Sequence, residues 1–124
     1  MESWQLDQLK VGPDLPEVLS SSKEGRVIVA ALPAGRTLGE HCVHERAWVF
    51  VVAGEVEVTT PAGETVRGGP GLLLEFSPLE RHSLRALEDC RLAIVLAPWP
   101  GVGHPGAMTL RDKVYAHRHA RQRR

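Results

Sequence analysis

A chain of 124 residues holds one domain with its own core and is too short for two. Its hydrophobic content of 43% and charged content of 24% are ordinary for a globular protein, and no apolar run approaches the roughly 18 residues of a membrane-spanning helix. The formal net charge is zero but uneven: Arg111, Lys113, Arg118, Arg121, Arg123 and Arg124 face the single acid Asp112, so residues 111–124 carry +5 and the rest −5.

The start, MESWQLDQLK, lacks a cationic segment followed by an apolar one, so no secretory signal is legible and a cytoplasmic location is the expectation. Residues 1–25 hold an apolar cluster (Trp4, Leu6, Leu9) and then the turn formers Gly12, Pro13 and Pro16. They read as an arm lying on the body, with room for a short strand. From Arg26 the texture changes. The short runs VIVAAL, AWVFVV, EVEVTT, LLLEF, HSLRAL and RLAIVLA are separated by PAG, AG, PAGE, GGPG and SPLE. Short strands punctuated by Gly and Pro predict an all-β sandwich or barrel over 26–110. No helical period persists.

Two runs have a legible face. In Glu55-Val56-Glu57-Val58 the valines point one way and the carboxylates the other. In Arg81-His82-Ser83-Leu84-Arg85-Ala86 the alternation turns His82 inward with Leu84 and Ala86. Glu75 interrupts an apolar run and either lines the cavity opposite His82 or takes an exposed strand position. Trp48 and Phe50 share the face opposite Ala47, Val49 and Val51. They are either anchors of a homodimer or covered by the arm with Trp4. VIVAAL and RLAIVLA are apolar on both faces, which suits a barrel packed against a second copy or its own arm. After the last run, Ala97-Pro98-Trp99-Pro100-Gly101 leaves as a rigid loop. Its Trp99 either closes one barrel end or packs outside, and His104 leans to the mouth or to solvent. The basic tail at 111–124 lacks the aromatic interleaving of a nucleic-acid platform, so nucleic acid is not the expected partner. Cys42 and Cys90 are in no metal-finger spacing and read as free thiols.

The stretch from Pro33-Ala34-Gly35 through His41 to Ala53-Gly54 resembles the first conserved motif of the cupin superfamily, with Gly35, five intervening residues, His41 and the closing Gly54 in register. Gly71 through Pro78 to His82 resembles the second. The resemblance implies a cupin double-stranded β-helix, a jelly-roll barrel. It also implies a site for one divalent transition metal (Fe, Mn, Ni or Zn), held by two His and one Glu of the first motif and one His of the second. His41 and His82 occupy two of those positions; Val43 and Ala47 stand at the other two. On an unbroken strand His41, Val43, Glu45 and Ala47 point inward and Glu45 supplies a third ligand. A β-bulge brings in His44 instead. The expectation is a small cupin-type barrel that binds a small molecule in a cavity marked by His41, His82, Glu75, Val43 and Ala47, without a complete metal site. The alternatives are a metal-dependent enzyme of the dioxygenase or isomerase type, using His41, His82 and His44 or Glu45, and a protein-interaction module with a filled barrel.

Overall fold

The structure, a computed structural model, describes residues 1–13 and 15–105; residues 106–110 and the basic segment 111–124 lie outside the described residues. Nine strands follow in chain order: β1 (Glu17–Ser21), β2 (Arg26–Leu32), β3 (Thr37–His41), β4 (Arg46–Ala53), β5 (Val56–Thr59), β6 (Thr65–Gly68), β7 (Leu73–Phe76), β8 (His82–Ala86) and β9 (Cys90–Ala97). They form a five-stranded sheet, β1-β2-β9-β4-β7, and a four-stranded sheet, β3-β8-β5-β6. Neighbouring strands pair antiparallel throughout. All six apolar runs read from the sequence are strands. The arm is more than a cover, because Glu17–Ser21 pairs with β2 and extends the first sheet.

Period-two alternation builds the interior. Ala47, Val49 and Val51 of β4 pair with Leu96, Ile94 and Leu92 of β9 and face the second sheet, which contributes Val56, Val58, Leu84 and Ala86. Phe76 and Leu74 of β7 join the same interior. Complete burial of a Val or Leu side chain contributes roughly 1.5–3 kcal/mol relative to exposure, and Val51, Val56 and Leu92 are buried that far.

The opposite faces of the two sheets differ. On the second sheet, Glu57 lies between Arg85 and Arg67, and Thr59 between Ser83 and Thr65. That is a hydrated surface. On the first sheet, two rows cross the outer face: Val27-Val95-Trp48-Glu75 and Val29-Ala93-Phe50-Leu73. The second row is closed at one end, where Val29 is fully buried, and open at the other, where Phe50 is 40% and Leu73 59% exposed. Arg91, which follows the same outer face, donates from Nη1 to the Leu6 carbonyl at 2.7 Å. The N-terminal arm therefore lies toward the closed end, and Phe50 is not under it.

The turn from β4 to β5 depends on Gly54. Its φ is +80°, and a Cβ there would run into the Asp89 carbonyl oxygen and come within 2.8 Å of Cys90 Cα. Gly35 also has positive φ, +84°, but nothing within 4 Å of where its Cβ would be. Gly54→Ala is expected to lose on the order of 3 kcal/mol, adding overpacking to backbone strain. Gly35→Ala should lose only about 1 kcal/mol. Urea denaturation of both variants checks the difference, and equal losses would contradict the contact assignment.

Candidate functional site

His41 ends β3 and His82 begins β8, and the two are register partners across that pair of strands. Their rings meet edge to face, with centroids 4.4 Å apart. Phe76, inward on β7, stacks on His82 at 3.7 Å and 10°. Each imidazole is held by a local carbonyl: His41 Nδ1 donates to Gly39 O at 2.7 Å and His82 Nδ1 to Glu80 O at 3.0 Å. In a neutral ring this leaves Nε2 as the acceptor. His82 is buried with Leu84 and Ala86, as the alternation predicts, and His41 is half-buried. Burial pushes the His82 pKa below the usual imidazole value, and the neighbouring His41 pushes the same way, against the Glu80 carbonyl contact and the Glu80 charge.

Glu45 and His44 are elsewhere. Between β3 and β4 the chain bends through residues 42–45 instead of continuing as a strand. Strand alternation therefore does not apply, and the choice between Glu45 inward and His44 inward does not arise. Cys42, Val43, His44 and Glu45 all line one cavity of about 240 Å³, with Leu96, Trp99, His104 and Pro105 completing its wall. Trp99 packs against the core and carries Arg26 over its ring at 4.0 Å. His104 contacts both Trp99, at 4.8 Å, and His44, at 5.8 Å between centroids. Trp99 thus forms part of this cavity's wall while packing on the core.

The carboxylate of Glu45 is 1% exposed. Its Oε2 accepts a hydrogen bond from Gly101 N–H at 2.6 Å, which ties the loop after β9 to the segment before β4. Gly101 has no room for a side chain: a Cβ would stand 2.6 Å from the His44 carbonyl oxygen and 2.9 Å from Glu45 Oε2. Nothing in the sequence marks Gly101, one glycine of a Pro-Gly-Val-Gly string, or Phe76 as a partner of His82.

Two expected placements, and the ligand set of the metal alternative, are not found. Glu75 does not line the interior. It projects outward from β7, where Oε1 accepts from Trp48 Nε1 at 2.8 Å and Oε2 pairs with Arg46 Nη1 at 3.2 Å. Register explains this, since Glu75 is opposite Trp48 while Phe76 is opposite Ala47. Ala47 is buried in the core and does not line the Glu45 cavity, whereas Val43 does. The metal set is not assembled: among the described residues no group of three or more His, Cys, Asp or Glu side chains is placed to hold an ion. His41 and His82 supply two donors, short of the three that a catalytic zinc site takes from protein. The described residues do not fit the implied metal.

No protein-family model matches the chain, and no curated protein does. Solved structures do match. An RmlC-like cupin protein from Desulfovibrio desulfuricans superposes with a TM-score of 0.70 at 22% identity, covering 79% of this chain and 97% of that one. An uncharacterised conserved protein with a double-stranded β-helix domain from Klebsiella pneumoniae gives 0.69 at 19% identity, covering 80% and 86%. KdgF from Halomonas sp. gives 0.62 at 22% identity, covering 73% and 85%. Two antiparallel sheets with this connectivity and these superpositions define an all-β protein of the cupin double-stranded β-helix fold. Within that fold the described residues form one small barrel, and among them no helix is long and apolar enough to cross a membrane.

The lowered pKa of His82 has a sign that can be checked. The native state favours the neutral ring, so its full contribution to stability is present above the unfolded value of about 6.5 and is lost as pH falls through the lowered native value. Urea denaturation between neutral and mildly acidic pH should show falling stability, with a shallower fall in His82→Asn. An equally steep fall in the variant would remove His82 as the source.

Proposed function

We propose that this protein binds a small molecule in the cavity formed by the bend before β4 and the loop after β9, without a resident metal. The observation that carries the reading is the placement of Glu45, a buried carboxylate in the wall of a cavity otherwise made of Cys42, Val43, Leu96, Trp99 and Pro105 with two imidazoles. An apolar concavity with a few convergent polar groups is the usual form of a ligand site. A volume of about 240 Å³ lies below that of sites for drug-sized molecules and suits a small metabolite. His41 and His82 are a separate inward pair beside Phe76, and neither lines this cavity. An enzyme of the metal-dependent dioxygenase or isomerase type needs a third donor beside that pair. A filled-barrel interaction module leaves the cavity unaccounted for.

Thermal denaturation of the full chain against a metabolite library tests the reading. Some compounds should raise the melting temperature, and Cys42→Phe, which fills the cavity from its wall, should abolish their effect. Failure of every compound would argue against a binding function. In parallel, elemental analysis of tag-free protein should find no stoichiometric metal. One metal per chain, lost in His82→Ala, would favour the enzyme reading instead.

We also propose that the protein pairs as a homodimer through the open half of the first sheet's outer face. Phe50 and Leu73 are exposed there side by side, while the second sheet's outer face is charged. The rim carries one base and one acid, Arg46 and Glu75, a pattern complementary to itself under two-fold rotation. Sedimentation should give a dimer for the wild-type chain and a monomer for the Phe50→Asp, Leu73→Asp double variant. A wild-type monomer even at millimolar concentration would leave that face to another occupant.

A further inference from the structure

Glu45 has a second property that bears on what the cavity takes. Among the described residues its hydrogen-bond partner is the Gly101 N–H, through Oε2, and no lysine or arginine pairs with it. Arg26 lies close by, over the ring of Trp99, but does not line the cavity. The other polar groups of the wall are the imidazoles of His44 and His104 and the thiol of Cys42. An ionised carboxylate removed from water is costly unless it is paired and hydrogen-bonded. One backbone N–H supplies part of that compensation, and Oε1 is left for the occupant of the cavity. A positively charged donor completes it with a charge-assisted hydrogen bond. Val43, Leu96 and the indole of Trp99 then cover the occupant's apolar part.

Resting on the small-molecule reading above, we infer that the ligand is a small organic cation, a protonated amine or amidine on a compact apolar or aromatic body, with Glu45 as its counter-ion. The Glu45–Gly101 bond fixes the carboxylate in advance, so little ordering is left for the ligand to impose. This makes Glu45 both the latch of the loop and the charge that selects the occupant. The two roles separate chemically. Gln at position 45 keeps an oxygen to accept from Gly101 N–H and removes only the charge.

Three probes of equal size and different charge test the inference: benzylamine, benzyl alcohol and benzoate. Each is titrated into the full isotopically labelled chain at about pH 8, above the ordinary imidazole range, and followed by two-dimensional NMR. Benzylamine should shift the amides of Val43, Glu45 and Gly101 and an indole N–H, and bind about tenfold more tightly than benzyl alcohol, a difference of about 1.4 kcal/mol. Benzoate should bind more weakly than either. In Glu45→Gln, the amine and the alcohol should bind alike. The wild-type ranking needs no substitution and stands even if that variant is unstable. Benzoate binding as well as benzylamine, or alcohol as well as amine, overturns the charge assignment while leaving the small-molecule reading intact. An amine preference that survives in folded Glu45→Gln also overturns it. If none of the three binds, the cation assignment falls, and the metabolite screen decides whether the broader reading falls with it.

Discussion

The interior of this barrel is made by one constraint: every second side chain of β4, β5, β8 and β9 has to fit between two sheets that share a single apolar layer. A residue on those strands has no choice of face without turning its neighbours into water. Ala47, Val49 and Val51 point in, so Arg46, Trp48 and Phe50 point out. That same rule sends His82 to the interior, where it has Phe76 against one side and His41 at its edge. The other chemistry-bearing groups, His44 and Glu45, are found where the rule stops applying, in the bend before β4.

Legibility in the sequence follows the same line. The six strands read from the sequence are those with apolar runs or strict alternation, and each contributes to the core. The three that were not read as separate runs, EVLSS, TLGEH and TVRG, are short and mostly exposed or half-buried. They are held by pairing with neighbours, a non-local cause that leaves little mark in composition. His82 was readable because it sits inside an alternating run. Glu75 was not, because its run is apolar on both sides and the face depends on the register with β4. His44 and Glu45 are inward alternatives only on a strand, and the chain bends there instead. Gly101 was illegible for a different reason: its role is set by Glu45 and His44, more than fifty positions away.

The resemblance to cupin motifs and the geometry agree on architecture and part company on chemistry. The motif positions occupied by histidine are brought together as register partners, as the fold requires. The positions occupied by Val43 and Ala47 supply no donor, and the nearest substitutes, His44 and Glu45, face a separate space. What remains is a packed imidazole pair in the wall and a carboxylate in the bend before β4. Fold places such groups, but their identity decides what they can hold.

The two thiols give the molecule an unplanned asymmetry for chemical labelling. Cys90 is buried, has its single S–H within reach of the carbonyls of Glu55 and Glu88, and has its pKa raised by burial, so little reactive thiolate forms there. Cys42 is only half-buried and stands in the cavity wall. A thiol-directed reagent therefore meets one cysteine well ahead of the other. The unmodified chain already carries an addressable attachment point for tethering fragments or reporter dyes beside Glu45, with no engineered residue.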